Sequence, residues 1–166
     1  MTHRTLLLLL VLVLALAGCG DEGETAATPT PEPKATATPD NTDITKKPKV
    51  TVPDELPPDE LQIEDIVKGK GPAARKGDKL TMQYVGLAWS TSFEFDSSWE
   101  GGKPFELTLG KGGVIPGWEQ GIPGMRQGGR RQLTIPAELA YGAQGSPPKI
   151  GPNECLRFII DLVKIG

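Results

Sequence analysis

The side chains with the clearest chemical use in this chain are aromatic rings and one carboxylate in its second half. The main ones are Tyr84, Phe95, Asp96, Trp118 and Phe158. No histidine-rich or cysteine-rich cluster accompanies them, so the sequence gives no sign of a metal site. The single histidine, His3, lies in a segment that we expect to be removed, which excludes histidine-based catalysis in the mature protein.

Several short segments carry these residues in a fixed order. They are QYVG around Tyr84, FDSS from Phe95, VIPGW at Val114–Trp118 and GMRQGGRRQLTIPAELAYGAQG at Gly124–Gly145. A lone Tyr-Gly or Gly-Trp pair would be uninformative, but the ordered set is specific. In order and spacing it resembles the FKBP family, the macrolide-binding peptidyl-prolyl cis–trans isomerases. The resemblance extends from about Leu61 to Gly166.

The resemblance implies a site that isomerises Xaa-Pro bonds without metal, nucleotide or cofactor. The positions with implied catalytic roles are Tyr84, Phe95, Asp96, Ile115 and Tyr141. Asp96 would pair with Tyr84, while the Ile115 N–H and the Tyr141 hydroxyl would donate to substrate carbonyls. The implied substrate-binding positions are Phe105, Leu107, Val114, Trp118, Ile150 and Phe158. Trp118 would form the floor beneath the proline ring, and Ile150 would close over the peptide.

Each of these residues has a simpler interpretation when it is taken alone. An isolated Phe or Trp in a small domain usually belongs to the core, and Trp118 can be both core and floor. Asp96, before two serines, fits a turn residue. Only the joint occurrence favours a site. Departures from the family pattern at Leu107, Gly113 and the loop Ser146–Lys149 bear on substrate preference and macrolide affinity.

The periodicity of residues 61–166 is mainly that of strands. The segment Lys79–Val85 alternates apolar and polar residues, as a half-buried strand does. Other strand candidates are Leu61–Val67, Phe93–Asp96, Phe105–Leu109, Arg130–Ile135 and Leu156–Ile165. Proline at the first position and Pro123-Gly124 after the last predict one short helix over Pro116–Ile122. We therefore expect an α+β fold, a curved antiparallel β-sheet of about five strands wrapped around one short α-helix, as the resemblance also implies.

Residues 1–18 have the layout of a secretory signal peptide. Arg4 precedes an apolar run from Leu6 to Ala17, which is too short to span a hydrocarbon core of roughly 30 Å. The run ends in Leu16-Ala17-Gly18-Cys19, which resembles a bacterial lipobox. This predicts lipidation of Cys19, membrane anchoring and an extracytoplasmic location; an ordinary signal peptide is the alternative.

Residues 19–60 are interpreted as a lipidated cysteine followed by a disordered linker rich in Pro, Thr and Glu. Residues 20–60 hold ten carboxylates and four lysines, whereas residues 61–166 hold eleven carboxylates and thirteen Lys or Arg. The linker either holds the domain away from an anionic membrane or is simply a solvated spacer. Residues 61–166 are expected to fold without it. Cys155 is the only cysteine left there, so we expect no disulfide.

The sequence thus favours an isomerase that acts on Xaa-Pro bonds of extracytoplasmic proteins and assists their folding. The alternative is a weakly catalytic or non-catalytic module of the same fold that binds peptides. A solute-binding lipoprotein would need two lobes, and this chain offers one. Expected partners are proline-containing polypeptides, rapamycin-type macrolides and the membrane through Cys19, with no nucleic acid and a monomeric state.

Overall fold

The computed structural model describes residues 41–166. Six strands and one short α-helix form the domain. The strands are β1 Gln62–Val67, β2 Lys79–Ala88, β3 Glu94–Ser97, β4 Phe105–Thr108, β5 Gly129–Ile135 and β6 Leu156–Ile165, and the helix α1 is Pro116–Gly121. Two 3-10 turns, Ala137–Leu139 and Gly142–Gln144, follow β5. Within residues 41–166, no helix has the length and apolar character needed to cross a membrane.

All six strands join one sheet in which every pairing is antiparallel, in the order β1-β5-β6-β2-β3, with β4 also paired to β2. β2 is long enough to serve two short neighbours. Its residues Lys79–Met82 pair with β4, and Val85–Leu87 pair with β3. The predicted α+β fold, an antiparallel sheet with one short helix, is confirmed, with six strands rather than about five.

The helix α1 forms although two of its six residues are glycines, which are poor helix formers. A Cβ atom on Gly117 would lie 2.4 Å from the Ile135 side chain, and one on Gly121 would lie 2.7 Å from that of Leu133. Only glycine therefore lets α1 approach β5 this closely. The helix is stabilised by this packing, and Trp118, 4% exposed, is its anchor in the core.

The core fills the space between α1 and the inner face of the sheet. Leu80 and Met82 on β2 are fully buried, as are Leu133 on β5 and Ile160 on β6. Because successive strand residues point to opposite faces, these alternate positions all turn to one side of the sheet. Trp118 belongs to the same hydrophobic cluster, so the helix and the sheet share one core.

Residues 41–60, which we call the N-terminal strap, lie against the domain. This arrangement differs from the disordered linker that the sequence predicts for residues 19–60. Arg130, 1% exposed, forms an ion pair with Asp161, its partner across the β5–β6 ladder. The guanidinium also donates to the carbonyl oxygens of Asn41 at 2.9 Å and Lys46 at 2.8 Å. These carbonyls supply the acceptors that a buried cation requires.

Further backbone carbonyls of the N-terminal strap bind domain side chains. Arg157 donates to the Thr51 oxygen at 3.0 Å, and the Trp89 indole N–H donates to the Glu55 oxygen at 3.2 Å. A segment held mainly through its carbonyls needs no large apolar side chains, which is why its composition predicts disorder. The predictions for residues 1–40, including the leader and Cys19, lie outside the described residues.

Candidate active site

A pocket of about 220 Å³ opens where β2, β3, β4 and β6 meet α1. It holds nine of the eleven residues predicted for the site, together with Gly113. The lining residues are Tyr84, Phe95, Asp96, Phe105, Gly113, Val114, Ile115, Trp118, Tyr141 and Phe158. These residues come from distant parts of the chain, so the antiparallel pairing of the strands is what brings them together.

The pocket walls are aromatic rings packed edge to face around Trp118. The Trp118 ring lies 5.2 Å from Tyr84 and 5.2 Å from Phe158, with interplanar angles of 81° and 83°. Phe105 is 6.0 Å away at 82°. Edge-to-face pairs in this distance range are favourable beyond the area that they bury. The rings therefore form fixed apolar walls rather than a loose cluster.

Gly86 makes this ring packing possible, and sequence reasoning gave it no role. The Phe95 and Phe158 rings lie 5.6 Å apart at 88° directly over its Cα. A Cβ atom on Gly86 would come within 2.6 Å of the Phe158 ring and 2.8 Å of the Phe95 ring. The sequence feature that could have indicated this role is the position of Gly86 in QYVG. A glycine inside a strand can mark a close approach, but only the structure shows which side chains approach it.

Asp96 and Tyr84 form the polar edge of the pocket. The Tyr84 hydroxyl donates to Oδ2 of Asp96 at 2.6 Å, and the Ser97 N–H donates to Oδ1 at 2.9 Å. Burial, and then the hydrogen bond to Asp96 and the charge of that carboxylate, raise the pKa of the Tyr84 hydroxyl. Tyr84 therefore keeps its proton and remains the donor in this pair at neutral pH.

Three donors on residues that line the pocket have no acceptor among residues 41–166. Ile115 caps the start of α1: its carbonyl accepts from the Trp118 N–H at 3.0 Å, while its own N–H stays unpaired. The Tyr141 hydroxyl, on a residue 41% exposed, is likewise unpaired at the rim. Sequence reasoning missed the third, the buried indole Nε1 of Trp118. A peptide carbonyl entering the pocket would find the Ile115 N–H and the Tyr141 hydroxyl unengaged, whereas the indole Nε1 is buried.

Two predicted substrate-binding residues do not line the pocket. Leu107 lies on the same face of β4 as Phe105 but is buried in the hydrophobic core. Ile150 is 4% exposed and belongs to the same core, and a backbone bridge joins it to Ser146. Ile150 therefore anchors the loop, and its closing over a bound peptide stays a prediction.

The fold and the pocket together define a class of protein: a small antiparallel domain with an aromatic pocket that hydrogen-bond donors rim. A comparison with known families identifies that class. The sequence model of the family described as FKBP-type peptidyl-prolyl cis-trans isomerase matches residues 71–163.

Individual proteins agree with this match. An FK506-binding protein of Streptomyces anulatus is 50% identical over 121 residues, which is 72% of this chain and 98% of that protein. An FK506-binding protein of Neisseria meningitidis serogroup A is 44% identical over 63% of this chain and 95% of its own length. The crystal structure of AtFKBP13 is 40% identical, with a TM-score of 0.60, over 67% of this chain and 97% of that one. The chain belongs to the family of FKBP-type peptidyl-prolyl cis–trans isomerases.

Proposed function

We propose that the aromatic pocket isomerises Xaa-Pro bonds of proteins outside the cytoplasmic membrane and so assists their folding. The observation that carries the catalytic part is the combination of an aromatic box with two unpaired donors, the Ile115 N–H and the Tyr141 hydroxyl. The proline ring enters the box above Trp118. The carbonyl groups of the peptide meet the Ile115 N–H and the Tyr141 hydroxyl.

The chemistry requires no covalent step. Amide resonance creates a rotation barrier of roughly 18–20 kcal/mol and places partial charges on the carbonyl oxygen and the nitrogen. Walls built from Tyr84, Phe105 and Trp118 offer little solvation to that charge separation, so they favour the twisted amide over either planar isomer. Catalysis follows because binding is tighter in the twisted state than in the ground states.

The fixed geometry of the rim directs the peptide. The Tyr84–Asp96 hydrogen bond holds the polar edge in one arrangement, and the carboxylate already has a donor on each oxygen. In this proposal Asp96 orients Tyr84 and fixes the edge against which the peptide chain turns.

The proposed partners are proline-containing polypeptides and macrolides of the rapamycin type, bound by a monomer. The location and the anchor rest on the sequence alone: an apolar leader and Cys19 in a lipobox-like setting. Acylation of Cys19 by two or more chains would give stable anchoring, whereas one chain gives marginal binding. A Cys19→Ala chain should be released from the membrane fraction or remain unprocessed. Equal membrane association of parent and variant would contradict the anchor.

The function is tested with a panel of short Xaa-Pro peptides. NMR exchange spectroscopy or a protease-coupled assay measures the rate of their cis–trans isomerisation. The parent should accelerate exchange, and Phe95→Ala should lower that acceleration because it removes a wall of the box. The exposed Lys164→Met is a control far from the pocket and should match the parent. Peptide binding without accelerated exchange would contradict catalysis and favour the alternative function, a peptide-binding module.

A further inference from the structure

The strand β3 contains a bulge at the residue that forms a pocket wall. In the β2–β3 ladder, Gly86 is opposite Asp96 and Leu87 is opposite Glu94, so Phe95 is an extra residue without a counterpart. Such a residue interrupts the ladder and re-aims the side chains around it. Here the Phe95 ring turns inward, 5% exposed, while the next residue, Asp96, stays exposed at the rim.

Lys149 donates a hydrogen bond to this bulge from the loop between Ser146 and Ile150. Its ammonium Nζ lies 2.9 Å from the carbonyl oxygen of Phe95, 54 positions away in the chain. The loop that carries it is closed by two backbone hydrogen bonds between Ser146 and Ile150, at 2.9 and 3.0 Å. Because Ile150 is anchored in the core, the ammonium is presented from a fixed position.

We propose that Lys149 is a positioning residue of the isomerase site, which holds the peptide group between Phe95 and Asp96. The proposal rests on the function proposed for the pocket. The Phe95 carbonyl and the Asp96 N–H belong to one planar peptide group, so a hydrogen bond that fixes the first also fixes the second.

The effect reaches the pocket wall through Asp96. Its carboxylate accepts the Tyr84 hydroxyl at 2.6 Å, so a rotation of the peptide group before Asp96 would move the partner of Tyr84. The interaction between an ammonium and a carbonyl is charge-assisted and stronger than a neutral hydrogen bond. One lysine thus links the loop, the bulge and the polar edge of the site.

Two variants of the full chain separate this role from general stability. Lys149→Met keeps an unbranched side chain of similar length and removes the donor, whereas Lys149→Arg keeps a cationic donor. The position of the Asp96 amide in ¹H–¹⁵N spectra of the ligand-free protein reports on the hydrogen bond, because that amide nitrogen is bonded to the Phe95 carbonyl carbon. The values of kcat and KM on an Xaa-Pro peptide report on its effect, and the thermal midpoint reports on folding.

We expect Lys149→Met to shift the Asp96 amide and to lower kcat by roughly fivefold to tenfold, the scale of one hydrogen bond, with a smaller change in KM. Lys149→Arg should restore most of both. The thermal midpoints of both Lys149 variants should equal that of the parent. The control Lys164→Met, at an exposed residue, should change neither the Asp96 amide position nor kcat.

An Asp96 amide at the parent position in Lys149→Met, or an unchanged kcat, overturns the proposal. So does a loss that appears only with peptides acidic next to proline while the Asp96 amide stays in place, because Lys149 would then contact substrate. If the parent itself were inactive, the proposed function would fall, but the Asp96 shift would still decide whether Lys149 holds this peptide group.

Discussion

Tyr84 and Asp96 are joined by a hydrogen bond of 2.6 Å from the tyrosine hydroxyl to the carboxylate Oδ2, which connects the floor side of the pocket on β2 to its rim on β3. Tyr84 also packs its ring 5.2 Å from Trp118. One side chain thus belongs to the apolar wall and to the polar edge. Asp96, by contrast, is exposed and outside the core.

Removal of the Asp96 carboxylate should therefore harm turnover more than folding. For Asp96→Val we expect kcat/KM to fall roughly tenfold to hundredfold, since a hydrogen bond to a charged group contributes roughly 1.5–3 kcal/mol. The thermal midpoint should change little. Tyr84→Phe removes the other partner and is the matched comparison. Turnover equal to the parent in both folded variants would remove this pair from the site.

Trp118 should be required for both folding and catalysis. Trp118→Ala deletes a ring that is 4% exposed and contacts three other aromatic rings, so we expect a loss of about 3–5 kcal/mol in the free energy of unfolding. Denaturant titration measures this loss.

Trp118→Phe keeps one aromatic ring but removes the indole N–H and the second ring. It should remain folded, and a lower kcat/KM in it would show that the full indole, through its size or its unpaired Nε1–H, contributes to the site. If Trp118→Phe matched the parent in kcat/KM, the indole N–H would have no part in the site.

The periodicity of the sequence was sufficient to predict the sheet and the helix, whereas most of the pocket residues were implied by the resemblance to the FKBP family. The sequence was insufficient for Leu107 and Ile150. Both are apolar residues near true pocket residues, and only the direction of each side chain separates pocket from core. Pattern and spacing do not determine that direction for a four-residue strand or for a loop.

The role of the N-terminal strap was hidden for a different reason. Its contacts to the domain use mainly backbone carbonyls, which every residue carries, and its partner Arg130 reads in the sequence as one more surface cation. Gly86 and Lys149 are similar cases. Gly86 packs against rings, and Lys149 binds a backbone carbonyl, that lie far away in the chain. No local sequence motif predicts such contacts.

The N-terminal strap should add to stability, contrary to the expectation that residues 61–166 fold equally well alone. A chain shortened to begin at Leu61 removes the Asn41 and Lys46 carbonyls from the buried Arg130. Compared with a chain that begins at Asn41, we expect a loss of about 1–3 kcal/mol, the cost of leaving a buried donor unsatisfied. Denaturant titration of the two chains measures it.

A double replacement tests whether Arg130 is the cause. In Arg130→Met with Asp161→Leu, no buried charge remains to be satisfied, and such apolar replacements of buried pairs are often tolerated. The shortening should then cost less than it does in the parent. An equal cost in both backgrounds would assign the stabilisation to other contacts of the N-terminal strap.

Cys155 should be an inert thiol in the folded protein. It is 5% exposed, and burial, followed by the charge of Glu154, raises the pKa of its thiol from 9.0 to about 11. At pH 8 the thiolate fraction is then roughly one in a thousand. Iodoacetamide should modify the native protein slowly and the unfolded protein rapidly. Rapid alkylation of the native chain would contradict this burial.

The same shift makes stability depend on alkaline pH. Because the folded thiol binds its proton more tightly than the unfolded one, its contribution is complete below about pH 9 and is lost as pH rises towards about 11. The free energy of unfolding should therefore decline over this range in the parent more than in Cys155→Ala. The difference between the two chains isolates the thiol from Tyr84, whose pKa is also raised. Parallel curves for the two chains would show that Cys155 ionises equally well in the folded and unfolded states.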